Sequence, residues 1–263
     1  MKIPIAHKPT QRKQQLFFLG MLVLFAPCLL YLKLSWPQFV DGVSRVPDIA
    51  RQFLQFSFAE LPALLAELLT SVVVAFLCVS ISVVFALFLA FFMADNTAPN
   101  RLFAQLLRAC VVVIRTIPTT IWVLLAVASM GFGPMAGVLG LLFPTVSFLI
   151  KVFADKIDEA GKDTVEAIRA TGGNWWHVVF NGVLPNLLTA FLALIAFKFE
   201  MTVAETVILG MVGAGGIGVL LQEYISYYEF APLMLGVLVV FMTLFLLEML
   251  TNQIRIRLVG RRR

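Results

Sequence analysis

The chain has 263 residues, of which 60% are hydrophobic and 13% charged, and its formal net charge is +5. With a mean hydropathy of +0.95, this composition excludes an ordinary water-soluble globular domain and indicates an integral membrane protein. Several apolar runs are long enough to cross a hydrocarbon core of ~30 Å as helices, and their continuity argues against the alternating pattern of a β-barrel. We predict an all-α membrane protein with about six transmembrane helices and no separate soluble domain.

The predicted spans follow the apolar runs in chain order. They cover residues 16–34, 62–94, 103–130, 134–153, 183–210 and 231–254. The second run exceeds what a bilayer requires at ~1.5 Å per residue, so it is expected to tilt or to extend into water. The spans divide the chain into three parts: an N-terminal tail, first span and interfacial helix at 1–61, a core at 62–255, and a basic tail at 256–263.

The basic residues at the two ends of the chain predict its orientation. They are Lys2, Lys8, Arg12 and Lys13 before the first span, and Arg255, Arg257, Arg261, Arg262 and Arg263 after the last. Because cytoplasmic segments are enriched in Lys and Arg, both termini are expected in the cytoplasm, with residues 35–61 and 212–230 outside it. This distribution accounts for the net charge, so nucleic-acid binding is not indicated. The first span is expected to be retained, because no small-residue cleavage site follows it.

The segment after the first span has a second, different pattern. Apolar residues recur every three or four positions with charged residues between them: Phe39, Val43, Val46, Ile49, Phe53 and Phe56, interleaved with Asp41, Arg45, Asp48 and Arg51. This spacing predicts an amphipathic helix that lies along the outer membrane interface. It is expected to be either a lipid-facing linker or part of a docking surface.

Two glycine-rich stretches, 131–136 and 213–218, match the spacing of dinucleotide-binding motifs. Neither is expected to follow a β-strand, and the residues after Gly218 are not the Lys and Ser or Thr of a P-loop. With no recognisable hydrolase motif and no metal-ligand spacing among the three cysteines, we predict no enzymatic activity, no cofactor and no metal site in this chain. The later glycines are expected to form a gate or tight packing, or a simple turn: Gly213, Gly215, Gly216 and Gly218.

A charged segment separates the fourth and fifth predicted spans. Residues 151–169 mix Lys and Arg with Asp and Glu, residues 171–174 are Thr-Gly-Gly-Asn, and two tryptophans follow. The pattern predicts a helix, a glycine turn and a short helix, which the charges keep in water and the indole rings place at the membrane interface. Such an ordered segment on a membrane protein indicates contact with a soluble partner.

Residues 166–185, which we call the signature segment, resemble the cytoplasmic signature of bacterial ABC importer permeases, E-A-A-x3-G-x9-I-x-L-P. Ile168 departs from the second Ala of this pattern, and Gly182 departs from its Ile. Five positions match, and they are Glu166, Ala167, Gly172, Leu184 and Pro185.

The resemblance implies a type I ABC importer permease fold with a cytoplasmic coupling segment at about 155–180. The residues that it implies in coupling to an ATPase are Glu166, Ala167, Arg169, Gly172, Gly173, Trp175 and Trp176. It also implies the partners. Two ABC ATPase subunits, which bind ATP and Mg²⁺, are expected beneath two permease copies, a homodimer in the bacterial inner membrane. A periplasmic or lipid-anchored binding protein is expected to deliver the substrate, and the ATPases to drive alternating access.

Within this superfamily the chain is similar to the phosphonate-type permeases, which import phosphonates or related anions such as phosphite and hypophosphite. The similarity lies in Arg-Thr-Ile-Pro at 115–118, Trp122, Gly-Phe-Gly-Pro at 131–134 and the glycine-rich run at 209–218. Thr119 departs from the acidic residue that often follows this proline. Methionine-type permeases are the nearest alternative. A secondary transporter, for which an inverted repeat would be expected, and an intramembrane enzyme are the alternatives from other classes.

Ionisable residues in or beside the later spans are costly in hydrocarbon and are expected to face protein or water. Arg115 is the candidate for binding a phosphorus oxyanion, because its planar guanidinium group can hold two oxygens at once. Alternatively, Arg115 anchors at an interface or pairs with Glu200 or Glu205. Lys198 is expected to form a structural pair with Glu205. The predicted substrate-path residues are Arg115, Thr116, Thr119, Glu200 and Glu205.

Overall fold

The computed structural model describes residues 8–33, 35–53, 55–159 and 162–260. These residues form helices joined by short turns, and no strand occurs among them. The predicted all-α membrane fold is therefore confirmed. Lys2 and the three arginines at 261–263, which contributed to the predicted orientation, lie outside the described residues.

Eleven α-helices follow one another along the described part of the chain. They are α1 (Lys8–Tyr31), α2 (Trp36–Phe53), α3 (Leu61–Met93), α4 (Arg101–Thr116), α5 (Thr119–Met130), α6 (Pro134–Glu159), α7 (Lys162–Ala170), α8 (Trp175–His177), α9 (Leu184–Leu209), α10 (Ile217–Ser226) and α11 (Phe230–Gly260). A 3-10 turn, Phe58–Glu60, precedes α3. Two π-helical turns, Val178–Val183 and Gly210–Ala214, flank α9.

The first 53 residues form a unit of their own. Within it, α1 is apolar and long enough to cross a membrane. α2 covers the predicted amphipathic helix as far as Phe53. On its polar face, Arg45 pairs with Asp41 at 2.6 Å and Arg51 with Asp48 at 3.9 Å. Exposed pairs at helical spacing contribute only ~0.3–0.5 kcal/mol each, so the apolar face is the feature that determines where this helix lies.

The centre of the second unit (Leu54–Arg263) is α3, which packs against α4, α6, α9, α10 and α11. Half of its buried residues are small, which lets neighbouring helices approach closely: Ser71, Ala75, Cys78, Ser82, Ala86 and Ala90. Larger side chains fill the core where α6 and α9 meet. Phe153 and Phe191 lie there with ring centroids 4.5 Å apart.

Five helical segments among the described residues are long and apolar enough to cross a membrane, and a bent pair, α4 with α5, would make a sixth. The segment predicted as a span at 103–130 is not one straight helix, because α4 and α5 meet at a bend of 84°. Ile117 is extended, with φ −83° and ψ 123°, and the proline that follows it disfavours the helical conformation there. Pro118 also lacks the N–H that would continue the helix.

Candidate functional site

The first part of the signature segment is α7, which has one buried and one exposed face. Val165 is 4% exposed and Ile168 is partly buried, and both pack into the apolar cluster at the ends of α3, α6 and α9. Glu166, Ala167 and Arg169 are exposed. α7 is thus fixed to the helical core by apolar side chains and presents a mixed-charge face outward.

α7 ends in a Schellman motif, which stops the helix at a defined place. The N–H of Gly173 donates to the carbonyl of Ile168 at 3.0 Å, and the N–H of Gly172 donates to the carbonyl of Arg169 at 3.0 Å. Gly172 has a φ of +83°, in the left-handed region that favours glycine. Gly172 and Gly173 therefore set a sharp turn directly after the exposed face of α7.

The two tryptophans after this turn have different environments. The indole N–H of Trp175 donates to the carbonyl oxygen of Thr97 at 2.7 Å, and its ring packs against Phe92 with centroids 5.2 Å apart. Trp176 is 54% exposed and stacks on Phe180 with centroids 5.8 Å apart. Trp175 is therefore an anchor to the core, whereas Trp176 belongs to the surface.

The short helix α8 begins with a reciprocal cap. The side-chain oxygen of Asn174 accepts from the backbone N–H of His177 at 3.1 Å, and the N–H of Asn174 donates to Nδ1 of His177 at 3.3 Å. These bonds satisfy backbone groups that the start of a helix leaves unpaired. Sequence reasoning gave His177 no role, although Asn at the cap with a polar residue three positions later is the spacing of a capping box.

The loop between α3 and α4 connects Trp175 to the helical core. This role of the loop was not predicted from the sequence. The amide of Asn96 donates to the carbonyl of Asp158 at 3.0 Å, and its backbone N–H donates to the carboxylate of Asp158 at 3.1 Å. Arg108 of α4 pairs with Asp95 at 3.0 Å. The loop that accepts the indole hydrogen bond is thus tied to the last turn of α6 and to α4.

The two departures from the signature face each other in the structure. A Cβ on Gly182 would lie 2.4 Å from Cδ1 of Ile168 and 3.4 Å from Cγ2 of Thr164. Ile168 therefore fills the space that a side chain at position 182 would require. The sequence presents two separate mismatches, and the structure shows one contact in which a large and a small residue have exchanged places.

The glycine loop, which we define as residues 210–218, follows α9 at the end remote from the signature segment. Gly213, Gly215 and Gly216 have φ values of +107°, +80° and +76°. These left-handed conformations favour glycine and end the helix after the π-helical turn. α10 then begins at Ile217.

Close contacts hold the glycine loop against α3 and the start of α6. The N–H of Ile217 donates to Oγ of Ser71 at 3.0 Å, and the N–H of Gly133 donates to the carbonyl of Gly213 at 3.0 Å. A Cβ on Gly216 would lie 2.2 Å from Oγ of Ser71. The loop also borders a cavity of about 500 Å³ that both glycine-rich stretches line. Close packing accounts for the glycines here, and a gate at this loop stays a prediction.

Tyr224 ties α10 to the start of α3. Its hydroxyl lies 3.5 Å from a carboxylate oxygen of Glu60. Burial, together with the negative charge of Glu60, raises the pKa of Tyr224 above its usual value. The phenol is therefore neutral and donates toward Glu60, which helps to fix the helix that follows the glycine loop.

The predicted path residues Arg115, Thr116 and Thr119 flank the bend between α4 and α5. Arg115 and Thr116 are exposed, and Thr119 is partly exposed. The hydroxyl of Thr116 donates to the carbonyl of Val113 at 2.7 Å, so it is used within α4. Arg115 has no ion-pair partner in the described part of the chain. Its alternative pairing with a glutamate of α9 is not formed.

The predicted path residues Glu200 and Glu205 lie on α9, and both are partly exposed. Nζ of Lys198 contacts both carboxylate oxygens of Glu205, at 3.1 and 3.2 Å. Lys198 is only 4% exposed, and its Nζ lies 5.4 Å from the centroid of the Phe148 ring. The predicted pair between Lys198 and Glu205 is confirmed.

Taken together, the helical membrane core, the exposed α7 ended by two glycines and the packed glycine loop define a membrane-spanning component of a transport system. Residues 82–261 match the family of binding-protein-dependent transport system inner membrane components. The chain belongs to this family, and it is a multi-pass inner-membrane protein.

Several proteins similar to this chain are named as permeases for phosphorus oxyanions. The phosphate-import permease protein PhnE of Mycolicibacterium smegmatis is 37% identical over 166 residues, which are 63% of this chain but only 31% of that protein. The phosphite transport system permease protein PtxC of Stutzerimonas stutzeri is 31% identical over 202 residues, 76% of this chain and 74% of that one. The predicted resemblance to phosphonate-type permeases is confirmed.

The methionine alternative is supported less well. The methionine import system permease protein MetP of Bacillus subtilis is 24% identical over 136 residues, 49% of this chain and 60% of that one. Among solved structures, an inward-facing crystal form of the MetNI methionine ABC transporter aligns with a TM-score of 0.70 and 18% identity, covering 77% of this chain and 99% of that one. At this identity the structural match establishes the type I permease fold alone, and the comparisons favour a transport component over an enzyme.

Proposed function

We propose that this chain is the permease subunit of an ATP-driven, binding-protein-dependent importer for a phosphonate or a related phosphorus oxyanion such as phosphite. The observation that carries this proposal is the signature segment, in which α7 is fixed inward by Val165 and Ile168 and exposes Glu166, Ala167 and Arg169. The names of the relatives support the class of anion.

In this proposal the exposed face of α7 contacts an ABC ATPase, which holds ATP and Mg²⁺. Movement of the ATPase is transmitted because α7 cannot slide freely. Its end is fixed by the turn at Gly172 and Gly173, and the chain beyond is held by the bond from Trp175 to Thr97. A displacement of α7 therefore moves the ends of α3, α4 and α6, as alternating access requires.

The proposal also includes an orientation and an assembly. The distribution of Lys and Arg along the sequence supports a cytoplasmic position for α7 and both termini, with residues 35–61 and 212–230 outside the cytoplasm. A second copy of the chain completes the pore as a homodimer, and a periplasmic or lipid-anchored protein delivers the anion. Arg115, Thr116, Thr119, Glu200 and Glu205 remain the proposed path residues.

Affinity purification of the tagged chain from its own host in a mild detergent tests the assembly. We expect an ABC ATPase in equal proportion to the permease, because each permease copy offers one α7. Absence of any ATPase, under conditions that preserve a known ABC complex, would refute the proposed function.

The substrate is tested with the binding protein that accompanies the complex. Titration with methylphosphonate, phosphite, phosphate and methionine is expected to give binding of a phosphorus oxyanion and none of methionine. Uptake of the same compounds into proteoliposomes then establishes what crosses the membrane. Selective binding and uptake of methionine would favour the alternative permease class.

A further inference from the structure

Three helices bring polar groups together in the apolar interior of the second unit. We define the polar cluster as Cys78 and Ser82 of α3, Thr145 of α6, and Lys198 and Glu205 of α9. The thiol of Cys78 lies beside both hydroxyl groups. Nζ of Lys198 lies 5.4 Å from the ring centroid of Phe148, which is one turn beyond Thr145 on α6. The cluster therefore combines one cation, one carboxylate and two hydroxyls at the contact of three spans.

The two hydroxyl groups of the cluster lack partners. Ser82 and Thr145 are each 0% exposed, and neither hydroxyl oxygen has a hydrogen-bond partner among the described residues. Buried polar groups are nearly always paired, because leaving them unpaired is unfavourable. The thiol of Cys78, a weak hydrogen-bonding group, is the polar neighbour that the structure gives both hydroxyls. Both are therefore available as donors to a polar ligand.

The charged pair is asymmetric in a way that suits exchange of its anion. The side chain of Lys198 is 5% exposed, whereas that of Glu205 is 30% exposed. Nζ of Lys198 is held by the two oxygens of this one carboxylate and by the face of Phe148. The carboxylate is the accessible partner, so another anion can take its place while the ammonium group stays where it is.

We propose that Lys198 binds the transported phosphorus oxyanion and that Glu205 is the counter-ion which this anion displaces. The inference rests on the proposed function, since it requires an anionic substrate. Ser82 and Thr145 then donate to the remaining oxygens of the anion. With no anion bound, Glu205 neutralises Lys198 and avoids an unpaired charge within the spans.

The residue type supports this assignment over a purely structural pair. A buried ion pair adds little stability compared with apolar residues of the same size, so its presence within a span points to function. The ammonium group of lysine is a compact charge on a flexible stem and can change partners without the fixed fork geometry of arginine. Lys198, to which the sequence assigned only a structural role, thus becomes a binding residue.

The test uses the complete transporter, with its ATPase and binding protein, in proteoliposomes. The variant Lys198→Met/Glu205→Gln removes both charges and keeps the approximate size of both side chains, a type of replacement that folding usually tolerates. We expect the ATPase to co-purify in the usual ratio and the uptake of phosphite or methylphosphonate to fall at least about tenfold. Lys198→Arg keeps the positive charge and is expected to retain more uptake than the double variant.

Glu248→Gln is the matched control, because it removes a carboxylate from α11 that takes no part in the cluster. Its uptake is expected within about twofold of the unaltered complex. Uptake by the double variant at the unaltered rate would overturn the proposal. Loss of the ATPase from that variant would overturn it as well, because the pair would then hold the helices together and not the anion.

The proposed function is tested separately from the role of Lys198, by measuring uptake with the unaltered complex. If that complex imports neither phosphonates nor phosphite nor phosphate, the function is wrong before any variant is considered. If it imports one of them and the double variant imports it equally well, only the role of Lys198 is wrong.

Discussion

The contact between Ile168 and Gly182 predicts how two substitutions in the signature segment depend on each other. In Gly182→Ile, the first new carbon would lie 2.4 Å from Cδ1 of Ile168, and this close approach forces a rearrangement. Ile168→Ala removes the obstacle. The double substitution moves the large side chain from position 168 to position 182. We expect it to recover most of the stability that Gly182→Ile loses.

The magnitudes follow from the packing. Cδ1 is the free end of a side chain, so Gly182→Ala is accommodated by rotation of Ile168 at about 0.5–1.5 kcal/mol. Gly182→Ile adds more atoms to a filled space and is expected to destabilise by about 1–3 kcal/mol. Ile168→Ala removes a partly buried side chain, at about 1–2 kcal/mol, less than a fully buried one. Because the double variant restores the lost volume, we expect it within about 1 kcal/mol of the unaltered protein, which makes the coupling energy about 1–5 kcal/mol.

Intrinsic fluorescence measures this prediction directly. Two of the four tryptophans of the chain lie in the signature segment. The change in their fluorescence during heating in detergent therefore reports on the unfolding of this segment. ATP hydrolysis stimulated by the loaded binding protein gives the functional readout. We expect the unfolding midpoint and the stimulated ATPase rate to rank the variants in the same order. If Gly182→Ile alone behaves like the unaltered protein, or if the double variant is as impaired as the sum of the two single ones, the exchanged-volume interpretation is wrong.

Three further predictions address the anchor, the glycine loop and the exposed face. Trp175→Phe keeps the ring but removes the donor to Thr97, so we expect a loss of about 1 kcal/mol in thermal unfolding and weaker ATPase stimulation, whereas Trp176→Phe leaves both unchanged. In Gly216→Ala, the new Cβ would lie 2.2 Å from a hydroxyl of α3 on a backbone with a φ of +76°, so the yield of folded protein should fall sharply. Gly131→Ala is the control: its φ is +85° but the space around it is open, so it should lower the stability by only about 1 kcal/mol. Glu166→Lys reverses a charge on the exposed face of α7 and should abolish ATPase co-purification while the thermal unfolding midpoint stays unchanged, and equal ATPase recovery would contradict a contact there.

Much of this architecture follows from local sequence, because apolar runs and glycines act locally. α3 and α9 coincide with predicted spans to within one residue, and α11 begins within one residue of its predicted span and continues six residues beyond it. The turn at Gly172 lies where the signature placed it. The bend within residues 103–130 was not predicted, because hydropathy does not register a bend. Pro118 was present as a motif residue and disfavours a helical conformation at Ile117. Pro27, Pro47 and Pro144 nevertheless lie inside helices, so a proline alone was not sufficient to predict the break.

The remaining features depend on residues far apart in sequence. The bond from Trp175 to Thr97 and the packing of Ile168 against Gly182 require the final arrangement of the helices. No periodicity within one segment encodes such a contact. The unpaired hydroxyls of the polar cluster are equally invisible to sequence, because Ser and Thr in spans commonly bond to their own helix.

The position of α3 explains how three separate regions can act together. Ser71 accepts a hydrogen bond from the glycine loop, Ser82 belongs to the polar cluster, and Phe92 packs against Trp175. At ~1.5 Å per residue, Ser71 and Phe92 lie about 30 Å apart on one helix, which has no proline beyond its first turn. A displacement of the signature segment that moves Phe92 must therefore also move Ser71, unless α3 bends. Since Gly216 leaves no free space around that hydroxyl, the glycine loop has to move with α3, and Ser82, which lies between the two ends of α3, moves with both.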